Sequence, residues 1–128
     1  MANSKGPMNQ SDKFVTDFFR LGANGWVDAY WNISVPVSVD QFVERICELG
    51  LELQFVDQPR WTANQADSLP CYLIHEAPLH RYAIYSVDRG IPRLEKSFST
   101  LKEGMRFKAE ELFETLAMVR RLRTTSSS

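Results

Sequence analysis

Chemistry in a chain of this size requires a nucleophile, a base or a ligand set brought together by spacing. His75 and His80 are the only histidines, and they bracket the connection Glu76-Ala77-Pro78-Leu79. With Cys71 or Glu76 they form the one Cys/His grouping in which metal or nucleophilic chemistry can be imagined. That spacing matches no ligand motif. The expectation is therefore a structural or surface role for both histidines, with no bound metal and no cofactor. Cys47 and Cys71 lie apart, each in an apolar run, and read as small core residues. No GxSxG, HExxH, P-loop or GxGxxG pattern occurs. Carboxylates are plentiful, but spacing alone pairs no two of them in a cleft. The sequence points to a binding protein and not to an enzyme.

Recognition needs other residue types, chiefly Trp, Tyr and Arg in the middle of an interface. Trp31 falls on an apolar face and reads as core, whereas Trp26 suits either role. Trp61 stands beside Arg60 in a polar stretch. It either folds back over the sheet or anchors a partner. A candidate partner-binding surface follows: Asp57, Arg60, Trp61 and Asp67 on one long loop, with Tyr30 and Glu52 as neighbours on an exposed strand face. Arg120, Arg121 and Arg123 could hold a phosphate or a membrane, but complementing a helix C-terminus explains them more simply.

The net charge of −1 gives no reason to expect a nucleic-acid partner. Its distribution is uneven, with a net of −6 over residues 28–76 and +4 over residues 77–128. If the fold keeps these segments apart, the molecule has an acidic side able to steer a basic partner. If it does not, this is ordinary solvated charge.

The elements that must position these residues follow from period and caps. The 128 residues, 44% hydrophobic, fit one domain spanning 11–123, between flexible tails at 1–10 and 124–128. Ser11 opens a helix with Phe14, Val15, Phe18 and Phe19 at helical spacing, and Gly22 ends it. Over 27–35 the period becomes two, with Val27, Ala29, Trp31, Ile33 and Val35 on one face of a strand. Ser38-Val-Asp-Gln41 is a capping box for a second helix, ended by Gly50. Leu51, Leu53 and Phe55 alternate as a second strand. Strands follow at 71–76, 81–87 and 93–98, with Asp88-Arg89-Gly90 as a turn. Thr100-Leu-Lys-Glu103 starts the last helix, whose stripe is Leu101, Met105, Ala109, Leu112, Leu116 and Val119. The expected fold is α+β, an antiparallel sheet of four to five strands with helices on one face. No apolar run approaches the length of a membrane span, and Met1 to Gln10 carries no signal-peptide core, so a cytoplasmic protein that binds no membrane is expected.

Tyr82-Ala-Ile-Tyr-Ser-Val-Asp-Arg-Gly90, then Phe98-Ser-Thr-Leu-Lys-Glu-Gly104 and a long helix, resembles small bacterial immunity proteins that neutralise secreted polymorphic toxins. The shared features are a strand with paired aromatics, an Arg-Gly turn, a return strand ending in Phe, and a helix start. Gly104 stands where Ala is more usual in that group. The match covers about a third of the chain. The resemblance implies an inhibitor that binds a cognate protein toxin stoichiometrically, as a monomer or weak dimer. A secretion chaperone or adaptor fits the same size and class, and would show a dimer and exposed apolar grooves. An enzyme built on His75 and His80 would show a deep pocket around them.

Overall fold

A computed structural model describes residues 10–57 and 70–126. The order is α1 (Gln10–Tyr30), α2 (Val39–Glu48), α3 (Glu52–Phe55), β1 (Tyr72–Glu76), a 3-10 turn (Ala77–Leu79), β2 (Arg81–Asp88), β3 (Ile91–Phe98) and α4 (Leu101–Ser126). The fold is α+β. The described residues form one antiparallel sheet of three strands in the order β1-β2-β3, not four or five. Helix α4 packs against all three strands, α2 lies along α4, and α1 touches both helices.

The two strands that do not form share one physical cause. Residues 27–30 continue α1 beyond a kink at Gly22, and the chain then turns. Trp26 and Tyr30 sit one helical turn apart, and both rings pack on Phe14 at 5.0 and 4.9 Å. Burying these two large rings together outweighs the two-residue alternation of smaller side chains around them. Gly22 therefore bends the helix instead of ending it. Leu51–Phe55 likewise holds the short α3. Gly50 takes φ 72, Gly50 N–H donates to Cys47 O and Leu51 N–H to Ile46 O, a Schellman end to α2 that aims the chain into a new turn. Phe55 is buried, whereas Leu53 is 79% exposed, so no shared strand face exists.

The remaining elements follow their local signals. Ser38 Oγ accepts from Gln41 N–H, and Gln41 Oε1 accepts from Ser38 N–H, closing the capping box. Arg89 and Gly90 both adopt positive φ, the two-residue loop that suits a twisted hairpin. Thr100 Oγ1 accepts from Glu103 N–H at the start of α4. That helix continues to Ser126, so the expected tail from 124 is helical through that residue. Met105, Ala109, Leu112 and Leu116 are buried, as their spacing requires. Gly104 is where α4 meets β1. A Cβ there would stand 2.6 Å from Leu73 Cδ1, so glycine lets the helix close on the sheet.

The core is largely aromatic. Phe14, Phe18, Trp26, Tyr30, Phe42 and Phe55 are buried in it together, with Phe113 packed at its edge. No helix among the described residues is long and apolar enough to cross a membrane.

Candidate functional site

The charge asymmetry of the sequence does not survive folding. Bases of α4 meet acids of the acidic segment one by one: Arg106 with Asp40, Lys102 with Glu44, Lys108 with Asp57 and Arg123 with Asp28. On α2, Arg45 binds Asp12 and Glu48. The segments are interleaved, and no separate acidic side is left to steer a basic partner.

The arginine cluster is also engaged within the molecule. The Arg120 guanidinium donates to the carbonyls of Tyr30, Trp31 and Ile33, satisfying acceptors orphaned at the end of α1. Arg123 stacks over the Trp31 ring at 5.0 Å while pairing with Asp28. These cations complement the C-terminus of α1, rather than that of their own helix.

The expected contact residues separate. Asp57 holds the structure together: its Oδ2 accepts from Leu73 N–H at 2.8 Å and from Lys108 Nζ at 2.9 Å. Lys108 is 2% exposed, also donates to Phe55 O, and lies 4.4 Å above the Phe55 ring. Glu52 sits half-buried in the first turn of α3, not on a strand. Tyr30 is buried in α1 rather than displayed on a strand. Among the described residues no hydrogen bond or ion pair joins Tyr30, Glu52 and Asp57. Arg60, Trp61 and Asp67 lie outside the described residues.

Tyr30 nevertheless belongs to the best-formed groove. Its volume is about 520 Å³, and it lies between the first turns of α1 and the turn that follows the helix. Ala29, Ile33 and Pro36 supply apolar walls, and Lys13 stands at the rim. Asp17 lies in the same lining. Tyr30 OH donates to its Oδ2 at 2.6 Å, Lys13 Nζ donates to that oxygen at 2.7 Å, and Arg20 donates to Oδ1 at 2.7 Å. Burial alone would raise the Asp17 pKa, but the three donors outweigh it and hold the carboxyl at about 2. Burial, then the Asp17 anion, push the Tyr30 phenol up to about 12. Neither group changes charge near neutrality, so this pair offers a fixed surface and no proton to transfer. Two cations share one anion, which leaves the rim net positive.

The region proposed for chemistry is open. His75 is exposed and stacked on Tyr82, ring centroids 4.6 Å apart, and His80 is exposed at a left-handed position. Glu76 accepts from Arg81 and Tyr85, each at 2.5 Å, and these bonds lower its pKa. None of the five grooves that the described residues line involves either histidine. Among the described residues no three His, Cys, Asp or Glu side chains gather as a metal set. Burial pushes the Cys71 thiol up to about 12, and burial also raises Cys47.

Sequence reasoning missed Asp17, Lys108 and Arg120. The first two had a visible signal: a charged residue inside an apolar stripe, Asp17 between Phe14 and Phe18, Lys108 between Met105 and Leu112. Such a residue must bring a partner with it. Arg120 carried no such mark, because its partners are backbone atoms of a distant turn.

No family model, no curated protein and no solved structure matches this chain.

Proposed function

We propose that this domain binds another protein, and that it acts as a cytoplasmic immunity protein that holds a cognate bacterial toxin inactive in a stoichiometric complex. The observation that carries the binding reading is the α1 groove, of about 520 Å³, with the Tyr30–Asp17 pair in its lining. A preformed apolar depression with fixed polar groups suits one or two anchoring side chains of a partner. Its net positive rim suits an apolar side chain flanked by a carboxylate, so the partner contact is acidic rather than basic. The toxin assignment rests on the hairpin-helix resemblance.

The test has two arms. Pull-down from the native host identifies the partner, and the gene is expressed alongside it to measure protection. Ala29→Trp then fills the groove from an exposed helix position, and Lys13→Glu reverses the rim charge. Binding should weaken at least about tenfold for Ala29→Trp, the loss of roughly 1.4 kcal/mol. Unchanged affinity in both folded variants would remove the groove from the interface. A captured partner whose toxicity the protein does not suppress would remove the immunity reading. Capture of secretion-apparatus components would favour a chaperone instead.

A further inference from the structure

Strand β3 is the edge of the sheet, bonded on one side to β2 and on the other to no described strand. Long exposed edges template further pairing unless something blunts them. From Arg93 to Ser97 every residue of β3 is exposed, Leu94 at 45%, and Ile91 at the start of the strand is 69% exposed. We propose that this edge pairs antiparallel with β3 of a second copy of the chain, with Leu94 on the two-fold axis.

The register follows from the charges. With Leu94 facing the partner's Leu94, Arg93 stands opposite the partner's Glu95, and Glu95 opposite the partner's Arg93. Shifting the axis to Glu95 would set two carboxylates against each other. An axis between Leu94 and Glu95 would set Arg93 against the partner's Lys96. Only the Leu94 axis is complementary at its centre, and opposite charges across a strand pair stabilise it. The faces agree as well. Arg93 pairs with Ser86 in the sheet, and Ser86 Oγ donates to Glu95 Oε2 at 2.6 Å, so Arg93 and Glu95 share one face. Leu94 pairs with Tyr85 and points to the other face.

The single chain also leaves these charges uncompensated. Arg93 has no ion-pair partner among the described residues, and neither do Glu95, Glu111 or Glu114. The Glu111 carboxyl is raised by burial, then by Glu114, Glu110 and Glu95, a set of acids without a nearby cation. Pairing β3 with β3 brings the partner's Arg93 to that set. The irregularity in the β2–β3 register near Tyr85 and Leu94 keeps the matched stretch short, and so does Pro92, which has no N–H to donate. A short strand contact lies at the weak end of protein interfaces. The dimer is therefore sought in the full chain between about 1 µM and about 1 mM.

Sedimentation velocity reads the outcome, with circular dichroism to confirm the fold. The wild type should show reversible monomer–dimer exchange. Arg93→Glu and Glu95→Arg should each weaken the dimer at least about tenfold, and Leu94→Lys should abolish it. The double variant, Arg93→Glu with Glu95→Arg, should restore it, because the reversed pair is again complementary. A wild type that stays monomeric throughout overturns the proposal. So does a dimer insensitive to both single reversals, or one that the double variant fails to recover.

Discussion

Asp57 and Asp17 are both carboxylates held by cations at the edge of the core, and they are built in opposite ways. At Asp57 the cation is the buried partner: the Lys108 side chain is 2% exposed and its anion 18%. At Asp17 the anion is buried, 5% exposed, and its cations Lys13 and Arg20 are 62% and 61% exposed. A buried ammonium cannot find water if its anion leaves, so the Asp57 pair must stay closed. Exposed cations keep their solvent and can turn to a partner. The first arrangement suits structure, and the second suits a surface for recognition.

Removing the anion from each pair tests that contrast. Asp57→Ala strands the Lys108 charge in the core and also frees Leu73 N–H. It should cost about 3–5 kcal/mol in urea unfolding. Joining Asp57→Asn with Lys108→Met removes both charges and should recover much of that loss. An Asp57→Ala protein of unchanged stability would mean that the pair does not close in solution. Leu112→Ala gives the apolar yardstick on the same helix. At 1% exposure it should cost about 2–5 kcal/mol, and no change would remove that face from the core.

The difference between the two carboxylates was half legible in the sequence. Both Asp17 and Lys108 interrupt apolar stripes, which marks them as buried and partnered, but their partners are local in one case and distant in the other. Lys13, Asp17 and Arg20 lie within two helical turns of each other, whereas Lys108 reaches back to Asp57. Local patterns fared the same way. The Ser38 box, the Arg89-Gly90 hairpin and the α4 stripe each depend on neighbours in sequence, and each forms where expected. The segment 27–35 fails because its alternation and the helical spacing of Trp26 and Tyr30 coexist, and only the tertiary cluster around Phe14 decides between them. The charge map fails for a related reason. Segment totals do not reveal that α2 lies along α4, where opposite charges cancel pair by pair. The groove was legible only through Tyr30, named for the wrong element.

Asp17 should respond more mildly and on the acid side. Its folded pKa of about 2 lies below the ordinary 3.8, so the carboxylate form stabilises the fold. That contribution is fully present above the ordinary value and is lost as pH falls through about 2. Asp17→Asn keeps the shape but discards the charge. It should cost about 1–2 kcal/mol at neutral pH, in the range for hydrogen bonds to charged groups. It should also flatten the stability profile between about pH 4 and about pH 2. A variant with the same acid profile as the wild type would show that Lys13 and Arg20 do not hold this carboxylate in solution.

The smallest effects belong to the histidines, and they set the baseline against which both carboxylates are read. His75 contributes an exposed stack on Tyr82 and has no listed role in the α1 groove or the Lys108 pair. His75→Ala should therefore cost about 0.5–1 kcal/mol, the value of an aromatic stack. His80 ends the 3-10 turn at φ 52, a conformation costly for a side chain with a Cβ and free for glycine. His80→Ala should stay within about 0.5 kcal/mol of the wild type, as surface changes usually do, and His80→Gly should match or exceed it. Partner affinity, measured by calorimetry per folded molecule, should be the same in all three. If either alanine variant folds normally yet loses function, or if metal analysis finds one transition-metal ion bound per chain, the open β1–β2 connection is a working site. Recognition would then have to be sought there, and not beside Asp17.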